Sequence, residues 1–119
     1  AHDLPVEEGR ENTVYNTRLG RGPAIYIADG ATFSDARLVR FFERIAQQHG
    51  IPYQIRQPGG GGTDAAAIQR TREGIPVVSV SVPGRYPHTP IALARLEDWE
   101  NTIRLLSQAL QEMSFEILS

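Results

Sequence analysis

Short apolar runs alternate with amphipathic stretches along most of this chain. Residues 24–28 form an apolar run that predicts a buried strand. A helix is expected next, with Ser34 as its N-cap and Gly50 as its stop, because apolar side chains follow at helical spacing: Leu38, Phe41, Phe42 and Ile45. Residues 53–56 then predict a second strand near a sheet edge, since prolines flank it.

The same alternation continues through the second half of the chain. A glycine tract at residues 59–62 leads into a slim, alanine-rich helix that is expected to pack closely on a sheet and to end at Gly74. Residues 77–82 are small, β-branched and apolar at nearly every position, as a central parallel strand requires. A long C-terminal helix is then expected to turn one apolar face inward: Leu96, Trp99, Ile103, Leu106, Leu110 and Met113.

This order of elements predicts an α/β fold. The expected architecture is a three-layer helix–sheet–helix domain with a mostly parallel sheet. Residues 1–22 are polar without a sustained period and predict an irregular lead-in, and residues 23–119 predict a single α/β domain. Because three or four strands make a small sheet for this class, further strands are expected from another chain or from an N-terminal part.

Composition narrows the possible functions. The 119 residues, 40% hydrophobic and 22% charged, suit one globular domain, and no apolar run approaches the ~20 residues of a membrane span. A net charge of −2 favours neither nucleic acid nor an anionic membrane as a partner. The sequence has no cysteine and no lysine, which excludes disulfides, thiolate metal sites and Schiff-base chemistry. The lack of cysteine suits a reducing cytoplasm.

Two loops carry candidate chemistry. Gly62 and its neighbours lead into Thr63 and Asp64 at the start of the predicted helix, where backbone can approach a ligand closely. An aspartate there suits a cation, a substrate amine or a capping role, and the plainer interpretation is a flexible loop with a helix cap. The second loop, residues 83–90, combines Arg85, Tyr86 and His88, which could bind a carboxylate or form an ordinary surface turn.

Several short motifs, in this order, resemble the C-terminal part of the co-catalytic metallo-aminopeptidases. That family includes glutamyl, deblocking and TET-type aminopeptidases, whose members are often labelled endoglucanase or cellulase M. The matching stretches span nearly the whole chain: Leu19-Gly20-Arg21-Gly22-Pro23-Ala24-Ile25, Gly50-Ile51-Pro52-Tyr53-Gln54, Gly61-Gly62-Thr63-Asp64-Ala65, Gly74-Ile75-Pro76, Val82-Pro83-Gly84-Arg85-Tyr86-Pro87-His88-Thr89 and Asp98 with its helix.

The resemblance implies a two-metal peptidase chemistry. In that family a pair of divalent metals, zinc or cobalt, activates a water that attacks the N-terminal peptide bond, with a glutamate as general base. His88 matches a metal ligand. The residues implied on the substrate side are Gly62, Thr63, Asp64, Arg85 and Tyr86.

The chain departs from the family at the catalytic centre. The other metal ligands and the Glu-Glu base motif lie earlier in the family's sequence and are not found here, and Glu7-Glu8 is not that pair. One imidazole cannot hold a metal pair, because zinc needs three or four protein ligands. We therefore expect no catalytic residue in this chain, no metal bound stably by the chain alone, and no activity in isolation; the peptide substrate and both metals belong to the complete enzyme.

Two other functional classes stay open. A non-catalytic α/β module could keep the peptidase shape for binding or assembly, and a flavodoxin-like phosphate module rests on the glycine tract alone. Independently of these, a missing half of the sheet would leave an edge strand and an apolar flank uncovered. A homo-oligomer, at least a dimer, is therefore expected.

Overall fold

A three-stranded sheet forms the centre of the computed structural model, which describes residues 16–57 and 61–119. β1 (Ala24–Tyr26) is fully buried and pairs in parallel with β2 (Gln54–Arg56). On its other side β1 pairs with β3 (Val80–Ser81), so the strand order is β2-β1-β3. A separate antiparallel hairpin joins β4 (Gly84–Arg85) to β5 (Leu93–Ala94). The predicted α/β class is confirmed.

Within residues 16–57 and 61–119, three α-helices accompany these strands. α1 spans Ala36–Gln48, α2 spans Ala65–Gln69 and α3 spans Leu96–Glu112. A 3-10 turn at Phe115–Leu118 follows α3 and contacts α1. Among the helices of the described residues, none is both long enough and apolar enough to cross a membrane.

The core lies between α1, β1 and α3, and α1 is packed as its spacing predicts. Phe41, Phe42 and Ile45 are buried against Ile25 and Leu105. The predicted N-cap is wrong by one residue: the side chain of Asp35, not Ser34, accepts a hydrogen bond from the backbone N–H of Arg37. Asp35 is favoured as the N-cap because its carboxylate also forms an ion pair with the Arg37 guanidinium, at 2.7 Å.

This cap makes a testable contribution to acid stability. Hydrogen bonds from the Arg37 side chain lower the pKa of Asp35 from 3.8 to about 2. A depressed folded-state pKa stabilises the fold above the unfolded-state value, and that stabilisation is lost as pH falls through about 2. Asp35→Asn is expected to cost about 1 kcal/mol at pH 7, with the difference vanishing in strong acid. Urea unfolding at pH 7 and in strong acid measures the free energy of unfolding of the variant and of the unchanged chain. An equal loss of stability under both conditions would contradict this prediction. Asp64→Asn is the control, because the Asp64 side chain caps nothing.

The predicted direction and place of the third strand are wrong. Within the described sheet β3 is an edge strand and runs antiparallel to β1, with Ser81 opposite Ala24. The chain reaches it from the carboxyl end of β1, where the N–H of Asp35 donates to Val77 and that of Tyr26 to Ser79. The five-residue helix α2 rises only ~7.5 Å, so the chain does not return to the far end of the sheet before β3 begins. An all-apolar run predicts burial but does not fix direction.

The predicted inner face of α3 is also wrong. Its buried residues are Asp98, Asn101, Thr102, Leu105 and Ala109, and the six apolar side chains expected to face inward are all exposed. Polar groups occupy the buried side because they bond to the chain: the Thr102 hydroxyl donates to the carbonyl of Asp98 at 2.7 Å. Periodicity identified the helix correctly and assigned its inward side incorrectly.

α2 does not pack on the sheet as expected, since none of its residues is buried. The Gln69 amide donates to the carbonyl of Phe33, and the Arg70 guanidinium donates to that of Ala31. The short helix therefore lies over the turn that follows β1. Its alanines make it slim, but five residues present too small a face to cover a sheet.

Residues 16–22 have no helix or strand, in keeping with an irregular lead-in, yet they are bonded to the domain. The N–H of Arg18 donates to the Gln54 side-chain oxygen at 2.8 Å, and the Gln54 amide donates to the carbonyls of Arg18 and Gly22, both at 2.9 Å. The segment thus runs beside β2. Residues 1–15, with His2, Asp3 and Glu7-Glu8, lie outside the described residues, and the boundary at residue 22 stays a prediction.

Candidate functional site

Gly61 and Gly62 lie at the carboxyl end of β1, against the turn at residues 29–33. The rest of the predicted glycine tract, Gly59 and Gly60, lies outside the described residues. The N–H of Gly30 donates to the carbonyl of Gly61 at 2.8 Å. A Cβ added at Gly30 would lie 2.8 Å from that same oxygen, and one at Gly62 would lie 3.2 Å from the Ala31 Cβ. The glycines at this contact therefore serve the close approach of two backbone segments of the same chain.

Thr63 and Asp64 begin α2 and are exposed. The Thr63 hydroxyl accepts a long hydrogen bond from the N–H of Ala65 at 3.3 Å and lies 3.4 Å from the hydroxyl of Ser79. The Asp64 side chain makes no capping hydrogen bond. The threonine thus takes the capping role expected for either residue, and the Asp64 carboxylate is left facing solvent.

His88 lies in the loop between β4 and β5, in an unusual backbone conformation. Tyr86 and His88 both have left-handed backbones, with φ of 58° and 59°, on either side of Pro87. Each such non-glycine residue costs roughly 1–2 kcal/mol. The Thr89 hydroxyl lies 2.6 Å from the carbonyl oxygen of Tyr86 and 2.8 Å from that of Ile91, which ties the loop across its base. The imidazole of His88 is therefore held out in solvent by a strained but tethered turn.

The two candidate loops leave the described sheet at opposite ends. Both follow the carboxyl end of a strand, as predicted, but β2 and β3 run in opposite directions. β3 starts beside Thr63, through Ser79, and leads away toward Gly84, a reach of up to ~17 Å in extended chain. Neither Tyr86 nor His88 forms a hydrogen bond with Gly62, Thr63 or Asp64.

The described residues do not by themselves build a two-metal site. In residues 16–57 and 61–119, no three side chains of histidine, cysteine, aspartate or glutamate come close enough to hold a metal ion. His49 is engaged elsewhere, 2.8 Å from Glu112 at the ends of α1 and α3. His88 could supply one imidazole ligand, and zinc requires more.

The feature that sequence reasoning missed is a buried carboxylate that holds the base of the hairpin. Asp98, in the first turn of α3, is fully buried and accepts hydrogen bonds from the N–H groups of Gly20 and Gly22, at 2.8 and 2.9 Å. We call this group the Asp98 clasp. α3 begins two residues after β5, so the clasp also anchors the hairpin that carries His88. The signal available was the Gly20-Arg21-Gly22 spacing, which is typical of backbone bent around an anion.

Comparison with known proteins identifies the family to which this chain belongs. The sequence pattern of the family described as M42 glutamyl aminopeptidase matches residues 3–105. This chain belongs to the M42 glutamyl aminopeptidase family, a family of metal-dependent peptidases. The resemblance found in the motifs is thereby confirmed.

Individual relatives and solved structures of aminopeptidases are similar to this chain in sequence and in fold. The lysyl aminopeptidase of Pyrococcus furiosus is 34% identical over 96 residues, which are 80% of this chain and 27% of that protein. The structure of an aminopeptidase from the archaeon Desulfurococcus kamchatkensis matches with a TM-score of 0.87 and 33% identity, over 95% of this chain and 32% of the other. The TET1 peptidase of Pyrococcus horikoshii, which can assemble into a tetrahedron or a large octahedral shell, matches with a TM-score of 0.70 and 35% identity, over 80% of this chain and 27% of the other. This chain spans about a third or less of the relatives it matches.

Proposed function

We propose that this chain is the C-terminal portion of a metal-dependent aminopeptidase that removes N-terminal residues from peptides, and that it does not hydrolyse peptides alone. Two observations support this proposal. The family pattern matches residues 3–105, and the chain has only about 30% of its relatives' length. The three-layer fold with a larger sheet, proposed for the complete domain, fits the edge position of β3 in the described sheet.

His88 is proposed as one ligand of a pair of divalent metals, zinc or cobalt, completed by groups outside this chain. Its exposure and its tethered, left-handed backbone support this, because such strain is kept where function needs a fixed side chain. Arg85 and Tyr86 are proposed on the substrate side and share the hairpin of His88. Gly62, Thr63 and Asp64 are also proposed on the substrate side, and the family motif alone supports their role.

A direct assay tests the lack of activity. The purified chain, incubated with aminoacyl anilides and zinc or cobalt, is expected to show no turnover above the buffer rate. Cleavage that a chelator abolishes would refute the proposal. A chelator-insensitive trace would instead indicate a contaminating peptidase.

A chimera tests the role of His88. This chain would replace the matching 96-residue segment of the Pyrococcus furiosus lysyl aminopeptidase. In a folded chimera, His88→Asn is expected to lower zinc content and anilide hydrolysis at least tenfold, because asparagine keeps a left-handed backbone but is a poor zinc ligand. His49→Asn is the matched control and should leave both unchanged. Full zinc content in the His88 variant would exclude His88 as a ligand.

The complete protein is proposed to form a homo-oligomer, supported by the shells of the TET1 peptidase. The cysteine-free sequence supports a cytoplasmic location.

A non-catalytic assembly module remains the second candidate, because the exposed face of α3 is suited to a protein partner. Zinc bound stoichiometrically at a defined site would favour the peptidase portion, and a metal-free, well-folded oligomer would favour the module.

A further inference from the structure

The Thr89 hydroxyl lies at the centre of the loop that carries His88. Its oxygen is 2.6 Å from the carbonyl oxygen of Tyr86, three residues back, and 2.8 Å from that of Ile91, two residues ahead. A hydroxyl carries a single proton, so it donates to one of these carbonyls at a time or shares the proton between them. One side chain thus links the chain on both sides of His88.

The hydrogen bond to Tyr86 constrains the backbone of His88 directly. It closes a ring of atoms that runs from the carbonyl of Tyr86 through Pro87 and His88 to the side chain of Thr89. Both the φ and the ψ of His88 lie in that ring, whereas Pro87 fixes its own φ near about −65°. Rotation about the backbone of His88 therefore moves Thr89 and breaks the hydrogen bond.

His88 needs such a constraint because its backbone conformation is unfavourable. Tyr86 and His88 have φ of 58° and 59°, in the left-handed region that residues with a Cβ rarely adopt. Without a hydrogen bond that offsets this strain, His88 is expected to return to a negative φ. The Cα–Cβ bond of His88, and with it the imidazole, would then point in another direction.

The same hydroxyl limits the other half of the loop. Its contact with the carbonyl of Ile91 closes a second ring, which contains Pro90 and its fixed φ. Both contacts join residues two or three positions apart, so they belong to the loop itself and need no segment from outside this chain. The Asp98 clasp holds the base of the hairpin separately. The Thr89 hydroxyl therefore acts on the loop and the clasp acts on its base.

We propose that Thr89 is a positioning residue for His88, whose hydroxyl holds the left-handed backbone that directs the imidazole toward a divalent metal. This rests on the ligand role proposed above for His88. Loss of a group that orients a metal ligand typically costs about 10–100-fold in metal affinity. Thr89 is not itself a ligand here and acts only through the direction of its neighbour's side chain.

Nuclear magnetic resonance of the chain tests the backbone part of this proposal without any metal. At a positive φ the amide proton lies close to the α proton of the same residue, so their nuclear Overhauser effect is strong. Thr89→Val keeps the shape of the side chain but removes the hydroxyl, and the effect at His88 is expected to weaken as φ becomes negative. Thr89→Ser keeps the hydroxyl and should preserve the effect. An equally strong effect in the valine variant would overturn the proposal.

Thr71→Val is the matched control for Thr89→Val. The Thr71 hydroxyl also donates to a carbonyl, that of Ala67 at 2.9 Å, but it lies just after α2 and outside the hairpin. Its loss should leave the spectrum of His88 unchanged. The two valine variants are expected to lower the urea midpoint of unfolding by similar amounts, since each removes one hydroxyl–carbonyl hydrogen bond. A much larger shift for Thr89→Val would mean that the hydroxyl stabilises the domain, which would overturn a positioning role.

Zinc affinity in the chimera described above tests the metal part. Thr89→Val is expected to raise the zinc dissociation constant about tenfold, and Thr89→Ser should return it to within about twofold of the unchanged chimera. Thr71→Val should have no effect. If His88→Asn weakens zinc binding and Thr89→Val does not, the positioning role is refuted and the ligand role stands. If His88→Asn leaves zinc affinity unchanged, the ligand role itself fails, and the positioning of His88 for a metal fails with it.

Discussion

One methyl group added at Gly22 is expected to lower the free energy of unfolding by roughly 3 kcal/mol or more. Gly22 has a φ of +84°, where L-residues are strained, and a Cβ there would lie 2.2 Å from the carbonyl oxygen of Pro52. The oxygen belongs to the backbone and the position of a Cβ is fixed by it, so no flexible side chain can move aside. Because Gly22 also donates to Asp98, any shift that relieved the clash would stretch the Asp98 clasp.

Gly50→Ala is the matched control for Gly22→Ala. Gly50 also has a positive φ, +63°, but nothing lies within 4 Å of its Cβ position. Its variant is expected to lose about 1 kcal/mol, the cost of the backbone conformation alone. Urea unfolding followed by far-UV circular dichroism gives both values. Equal losses would mean that the contact with Pro52 relaxes freely and that the clasp is less rigid than its distances indicate.

Asp98→Asn is expected to cost about 3 kcal/mol, although it changes the side-chain volume very little. The amide oxygen of asparagine can still accept from one of the two glycine N–H groups. Its NH₂ group then faces the other, and that N–H loses its acceptor. Hydrogen bonds to a buried carboxylate are stronger than neutral ones, which adds to the loss.

Glu97→Gln separates the clasp from the general effect of acidic charge near a helix start. Glu97 and Asp98 both lie in the first turn of α3, but Glu97 is exposed and its nearest cation, in Arg95, is 3.7 Å away. Its variant is expected to change stability by no more than about 0.5 kcal/mol. Similar losses in the two variants would attribute the effect to the helix dipole. A larger loss at Asp98 also predicts weaker protection of the Arg85 and Leu93 amides in hydrogen exchange, because the clasp holds the base of their hairpin.

Local chemistry in the sequence was enough to locate β1 to β3 and the three helices, but not the β4–β5 hairpin. Apolar spacing located α1 and its buried face, proline placement identified β2 as an edge strand, and the apolar run indicated a third strand. The direction of β3 was beyond such reasoning, because a run of valines suits either pairing. The length of α2 decided it, and five residues of ordered helix do not stand out in an alanine-rich stretch.

The two sides of α3 show a different limit. A periodic pattern reveals that a helix has an apolar side, and the usual assumption is that this side meets the core of the same chain. Here the core contact is made by Leu105, Ala109 and satisfied polar groups, and the stronger apolar pattern faces outward. In the candidate site the motifs identified His88 and its neighbours, but the Asp98 clasp depends on contacts between residues 78 and 76 positions apart in the sequence.

The hairpin that carries His88 is well suited to open without the rest of the domain. β4 and β5 pair through two residues each, and Ile91 and Leu93 are 80% and 51% exposed, so opening uncovers little apolar area. Opening also releases the strain at Tyr86 and His88. If the hairpin opens, the imidazole leaves its binding position, and the apparent affinity of any ligand for it is then scaled by the fraction of closed hairpin. A neighbouring segment that packs on the hairpin would tighten ligand binding without touching the ligand.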